Sequence, residues 1–403
     1  MAEVITGLAV LSLATWLYLL CFHGGFWRAD QRLRPDQTEP GTWPEVVAVI
    51  PARNEATVIG RSLRSLLTQD YPGRLSVILV DDLSRDGTAE LARNAAAETG
   101  RPERLIIVAA DPLAPGWTGK LWSMAQGLRR AEEVAPEARY VWLTDADVEH
   151  EGTALRQLVA KAEAEGRDLV SLMVLLRSDG FWAGLLIPAF VFFFQKLYPF
   201  AHINDPAKRT AGAAGGCMLV RRSALKRIGG IESIRNQLID DCALARALKP
   251  GGPIWLGLTE QSRGLRPYDG LGAIWHMVSR TAFTQLGHSP ALLAATVLGM
   301  AVIYLVPPVA AFAGAAAGIR EAALAGLAAW LIMAFAYLPT LRLYRRPPAA
   351  ALALPLAGLL YALMTVDSAR RHWRGRGGGW KGRSYPTSLP APGRATPTNG
   401  GRS

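Results

Sequence analysis

Tyr140-Val141-Trp142-Leu143-Thr144-Asp145-Ala146-Asp147 is a short apolar run that closes on two carboxylates separated by one residue. The run has the length and the aromatic and β-branched content of a buried strand. Two acids at its carboxyl end can hold one hard divalent cation through oxygen, Mg2+ or Mn2+, with coordination places left for phosphate oxygens. Asp-x-Asp (DXD) is common as a three-residue pattern, so its weight depends on its surroundings. Upstream, Val46–Ile50 precedes a helix whose Ile59, Leu63, Leu66 and Leu67 share one face. Leu75–Val80 leads through a polar turn into a helix over Thr88–Glu98. Leu105–Ala109 precedes a helix after Lys120 marked by Leu121, Met124 and Leu128. Downstream, Leu155, Leu158, Val159 and Ala162 stripe another helix. This alternation predicts an α/β domain over 43–290 with a mostly parallel central sheet covered on both faces. In such sheets ligands bind beyond the carboxyl ends of the strands.

The strand ends carry the chemistry-bearing residues. The first runs into Pro51-Ala52-Arg53-Asn54-Glu55, where a carboxylate and an amide can hydrogen-bond a base or ribose; a capping role for Asn54 is the plain alternative. The second runs into Asp81-Asp82-Leu83-Ser84-Arg85-Asp86-Gly87-Thr88, where Asp82 can accept from a ribose hydroxyl or base N–H and Asp86-Gly87 builds a turn. Asp240-Asp241 opens a helix continued by Leu244, Ala245 and Leu248. Acids in a first turn are often only dipole partners; the functional reading makes Asp241 a general base. The Gly-rich stretch Ala211–Gly216 precedes a strand over Cys217–Val220, whereas a dinucleotide fingerprint follows a strand and opens a helix. Gly119-Lys120 is followed by Leu121, without the hydroxyl a phosphate loop needs, and the six His show no paired spacing for zinc. Dehydrogenase, P-loop ATPase and zinc hydrolase readings are therefore set aside.

The chain has 403 residues, half of them hydrophobic, and a net charge of +11. Three cysteines with no C-x-x-C exclude a disulfide framework and point to a reducing compartment. Eight Lys and Arg against one Asp lie in the tail 367–403, so the remainder is near neutral and no basic face for nucleic acid is expected. Beyond Tyr385, Pro, Gly, Ser and Thr dominate, as in a solvated, largely disordered tail. Val4–Phe22 is an uncharged apolar run of membrane-spanning length, about 20 residues being needed. It fits a cleaved signal peptide badly, because no basic residue precedes it. Segment 1–23 is thus expected as a transmembrane helix and 24–42 as a linker. Arg28, Arg32 and Arg34 after the run place the catalytic domain in the cytoplasm of a multi-pass inner-membrane protein. Three further apolar stretches, Ala291–Gly318, Ala322–Leu343 and Ala349–Val366, predict about three segments over 291–366. Three crossings would carry the basic tail outside, against the charge bias. Either the third stretch dips in and returns, or the bias fails here. Gly184–Phe200, interrupted by Pro188, reads as an interfacial segment, with a buried core helix as the alternative.

Taken together these motifs resemble family 2 glycosyltransferases, whose fold is GT-A, over roughly Val46 to Phe283. The resemblance implies nucleotide contacts from Pro51, Arg53, Glu55 and Asp82, metal–diphosphate binding by Asp145 and Asp147, and catalytic-base chemistry at Asp241. The family's T-E-D motif reads Ile239-Asp240-Asp241 here, keeping the last acid. The Q-x-x-R-W of processive members is absent, and Trp275–Arg280 occupies its region, which implies transfer of a single sugar. Lys120, Arg280, Gly215 and Gly216 are candidates for diphosphate or acceptor contact. Pro115–Trp122, Ala211–Arg222, Trp275–Leu286 and Trp380-Lys381-Gly382-Arg383 look like the hopanoid-biosynthesis-associated glycosyltransferase B group. That likeness implies a nucleotide-sugar donor, in particular a UDP-sugar, a lipid hydroxyl acceptor such as a hopanoid, and inversion at the anomeric carbon. Transfer to polyprenyl phosphate and a non-catalytic, nucleotide-sugar-binding membrane scaffold are the competing expectations.

Overall fold

The computed structural model describes residues 2–33, 38–381 and 383–384; Met1, the stretch 34–37 with Arg34, Gly382 and the tail from Tyr385 onward lie outside them. One eight-stranded sheet organises the middle of the chain. Its strands are β1 (Val46–Ala52), β2 (Leu75–Asp81), β3 (Leu105–Ala109), β4 (Tyr140–Thr144), β5 (Val148–His150), β6 (Leu169–Leu175), β7 (Cys217–Arg221) and β8 (Ile254–Gly264), in the order β3-β2-β1-β4-β7-β6-β8-β5. β1 is buried along its whole length. Val47 and Val49 face a core shared with Leu121 and Met124, whereas Val46, Ala48 and Ile50 face a second core with Ile59, Leu63 and Leu66. Alternate residues of one strand thus enter two separate cores, which is why it reads as an unbroken apolar run.

β3, β2, β1 and β4 run parallel, as do β6 and β8. β7 lies antiparallel between β4 and β6. The connection from β6 to β7 leaves the sheet at one edge and re-enters at that same edge, so β7 can only run backwards. As a consequence the carboxyl ends of β1, β2, β4, β6 and β8 share one rim with the start of β7. β5, β6 and β8 are additional to the strands expected from sequence. The second half of β8, Thr259-Glu260-Gln261-Ser262-Arg263, carries no apolar alternation by which to recognise it.

Among the described residues, five helical stretches are long and apolar enough to cross a membrane: Ala2–Phe22, Gly180–Leu197, Pro290–Ala316, Arg320–Leu343 and Pro348–Trp373. Gly180–Leu197 is one continuous helix in spite of Pro188. Its two flanks return to paired strands, Ser171 of β6 beside Met218 of β7. A single crossing by this helix would therefore put hydrogen-bonded strands on opposite sides of a bilayer. The segment Pro348–Trp373 also begins and ends on the side of the sheet. Arg345, just before it, reaches Glu260 of β8 at 3.4 Å. Leu352 then accepts from Trp330 Nε1, midway along Arg320–Leu343, and Tyr361 donates to the Leu186 carbonyl. At the far end Asp367 accepts from Trp275 Nε1 at 2.8 Å. The chain descends, turns and climbs back.

Candidate active site

The common rim gathers the residues singled out in the sequence. Thr144 ends β4, and Asp145 Oδ1 lies 2.8 Å from Lys120 Nζ, at the start of helix Gly119–Val134. The same ammonium reaches Asp240 Oδ2 at 3.1 Å, on the first turn of helix Asp240–Leu248. Burial alone would lower the Lys120 pKa, but the Asp145 and Asp240 carboxylates against it hold the ammonium well above its ordinary range. Lys120 is thus a fixed positive charge between the aspartates of two distant segments.

Asp241 is oriented by the backbone. Gly215 N–H donates to its Oδ2 at 2.9 Å and Cys242 N–H to its Oδ1 at 2.7 Å. Burial, reinforced by the Asp240 charge, pushes its carboxyl up to about 6, with Lys120 and the two N–H groups pulling the other way. Gly215 approaches this cluster so closely that a Cβ there would lie 3.2 Å from Lys120 Nζ and 3.4 Å from Asp241 Oδ2. At Gly216 a Cβ would meet Val174 Cγ2 at 2.8 Å. One glycine makes room for the site, the other for the core beneath it.

The ends of β1 and β2 form the neighbouring wall. Arg53 Nη1 donates to the Asp82 carbonyl at 2.6 Å and lies 3.7 Å from Asp82 Oδ2. Pro51 is the buried penultimate residue of β1. Asn54 accepts from Arg85 N–H, and Asp86 receives Ala56 N–H, Thr88 N–H and Thr88 Oγ1, so these two knit the loops together. Glu55 is buried and sits between two cations, Arg266 Nη2 at 2.6 Å and Lys381 Nζ at 2.5 Å. Desolvation raises its pKa, opposed by Lys381 and Arg266. Arg266 also reaches Asp147 Oδ2 at 3.0 Å, joining the end of β1 to the Asp-x-Asp segment.

Arg266 and Lys381 were not assigned a role from sequence. Arg266 follows the carboxyl end of β8, so recognising that strand would have exposed it as a rim residue. Lys381 belongs to a quoted motif, but its place comes from a chain reversal. A two-stranded hairpin, β9 (Gly379–Trp380) and β10 (Arg383–Ser384), brings it over the rim, where its carbonyl accepts from Arg53 Nε at 3.3 Å. Arg280 stands apart. It is exposed after helix Gly270–Ser279 and forms no ion pair among the described residues. It is felt, with Asp147, by the half-buried Tyr268 hydroxyl, which desolvation raises to about 12.

Among the described residues no three Asp, Glu, His or Cys side chains close around a point as a complete metal cage. Asp145 and Asp147 nonetheless fit a hard cation, because such ions at diphosphate sites commonly take one or two carboxylates and complete their shell with phosphate oxygens and water. Lys120 and Arg266 each hold one of those carboxylates, so two cations stand beside the place an anion would occupy.

The sequence profile described as glycosyl transferase family 2 matches residues 47–229. A 4,4'-diaponeurosporenoate glycosyltransferase of Staphylococcus aureus is 25% identical over 240 residues, 59% of this chain and 57% of that protein. The chain therefore spans little more than half the length of the curated relatives it matches. A solved mannosyltransferase from Pyrobaculum calidifontis, in complex with GDP-Man and Mn2+, aligns with a TM-score of 0.52 at 21% identity, over 91% of this chain and 98% of the other. That likeness concerns the fold.

Proposed function

We propose, from the match of the glycosyl transferase family 2 profile to residues 47–229 and the likeness in fold to the solved mannosyltransferase, that this chain is a glycosyltransferase of that family and moves one sugar from a UDP-sugar to the hydroxyl of a membrane lipid, a hopanoid or a molecule like it. The observation that carries the proposal is the meeting of Asp145, Asp240 and Asp241 around Lys120 at the strand-end rim. The name of the Staphylococcus aureus relative and the five apolar helices support an apolar acceptor presented at a membrane.

Glu55, Arg53 and Asp82, with Pro51 beneath them, would contact the nucleotide. Asp145 and Asp147 would hold Mg2+ or Mn2+, which supplies Lewis-acid stabilisation to the departing diphosphate when bound. Lys120 and Arg266 are fixed cations beside those carboxylates, suited to offsetting the same charge. Asp241 accepts the proton of the attacking hydroxyl. A bond forms between that oxygen and the anomeric carbon while the bond to the diphosphate breaks, and the electron pair leaves with the diphosphate. Attack from the opposite face inverts the configuration. Gly215 leaves backbone alone beside the base, which gives the acceptor room. An acceptor already carrying a phosphate would need no strong base, so the elevated, backbone-oriented Asp241 favours a hydroxyl.

The test is transfer of radiolabelled sugar by the detergent-purified chain, with a panel of nucleotide-sugars and a hopanoid-containing lipid extract. Label in the organic phase, dependent on Mg2+ or Mn2+, is expected with a UDP-sugar. Absence of lipid-borne label from every donor would overturn the proposal, and label found only on polyprenyl phosphate would redirect it to that acceptor.

A further inference from the structure

The last turns of helix Leu354–Trp373 present an unusual face. Leu356, Leu359, Leu363 and Val366 are exposed at alternating three- and four-residue steps, and the same face continues into Arg370 and Trp373. One stripe of the helix is therefore apolar for three turns and then becomes cationic and aromatic. That order marks a helix leaving hydrocarbon for the headgroup layer. Just there, a cleft of about 360 Å³ is lined by Asp367, Arg370, Arg371, Arg374 and Arg376. The chain folds back after the helix, Arg376 N–H donating to the Arg371 carbonyl, so that Arg376 returns to the same cleft.

Charge decides what the cleft takes. Asp367 is its single acid among the described residues, and it is already engaged by Arg371 Nε at 2.7 Å and Trp275 Nε1. Arg374 and Arg376 form no ion pair among the described residues, and Arg370 feels the Asp367 charge without reaching ion-pair distance of it. The carboxyl end of a helix offers only about half a negative charge, too little to balance three guanidinium groups. Forked guanidinium donors match phosphate oxygens. We propose that this cleft is a binding site for the phosphate of an anionic phospholipid headgroup, with the lipid's acyl chains running down the Leu356–Val366 stripe. The proposal rests on the helix being membrane-embedded and does not depend on the sugar-transfer reading.

The experiment uses the full chain, delipidated in detergent and titrated with phosphatidylglycerol or phosphatidylcholine while native mass spectrometry counts bound lipid. Wild type should bind one phosphatidylglycerol about tenfold or more tightly than phosphatidylcholine, since the choline cation beside the same phosphate is repelled by the clustered guanidinium groups. R370Q/R374Q should lose that preference, and R370K/R374K should keep part of it. Inorganic phosphate and UDP are the competing arms and should displace little lipid. Equal phosphatidylglycerol binding by wild type and R370Q/R374Q would overturn the proposal. Displacement by inorganic phosphate or UDP at concentrations comparable to the lipid would overturn the headgroup assignment in favour of a soluble phosphate ligand. Should the double variant fail to fold, the exposed single variant R374Q is read in the same way.

Discussion

Asp241 illustrates how one side chain acquires a chemical role. Its sequence position, second in a helix, is equally that of a dipole partner. Burial and the adjacent Asp240 raise its pKa to about 6, and two backbone N–H groups fix its orientation. A base must be ionised to accept a proton, so transfer should be slow below about pH 6 and rise to a plateau as pH climbs through that value. A pH–rate profile at saturating donor checks this, and a flat profile across that range would remove Asp241 from the mechanism. Asp241→Asn should keep donor binding and lose roughly 10²–10⁴-fold in rate, the usual contribution of a general base. Arg266, ion-paired to both Glu55 and Asp147, is expected to act on binding instead. Arg266→Ala should raise the donor KM about tenfold or more with a smaller change in kcat, measured with one donor across its concentration range.

At the scale of elements, the strands and helices of the first half were legible because each apolar run and each helical stripe is continuous. β8 was not, since half of it is polar and its place depends on pairing with β6 and β5. The Pro188 interruption in Gly184–Phe200 suggests an interfacial segment, yet helix Gly180–Leu197 continues through the proline, enclosed by neighbours that include Tyr361. The hairpin carrying Lys381 is too short to be stable alone, and its contacts with Glu55 and Arg53 hold it at the rim. Lys381→Ala should therefore raise donor KM severalfold and leave kcat nearly unchanged. Steady-state kinetics beside Lys381→Arg, which preserves the charge, will test this; a KM identical to wild type in the alanine variant would detach the hairpin from donor binding.

At the scale of the whole molecule, the contacts on either side of the third C-terminal segment favour a re-entrant path over a third crossing. Arg345 before it and Asp367 and Lys381 at and beyond its end all touch the sheet domain. A re-entrant path would keep Lys381 on the domain's side, where the positive-inside bias expects the basic residues. In sealed vesicles, on a Cys21→Ala background, Ser403→Cys and Asp70→Cys should react with an impermeant maleimide from the same side, and Gly318→Cys from the other. Labelling of Ser403→Cys and Asp70→Cys from opposite sides would exclude the re-entrant path.

Local sequence determined the alternation of strands and helices, the acids at strand ends and the long apolar segments, because each is encoded in neighbouring residues through periodicity and hydrophobicity. Tertiary structure alone decided that Lys120 bridges Asp145 and Asp240, that Arg266 joins Glu55 to Asp147, and that Lys381 returns to the rim. Those contacts link residues about 25 to more than 300 positions apart, and no local pattern specifies which charges meet once the sheet has brought its strand ends together.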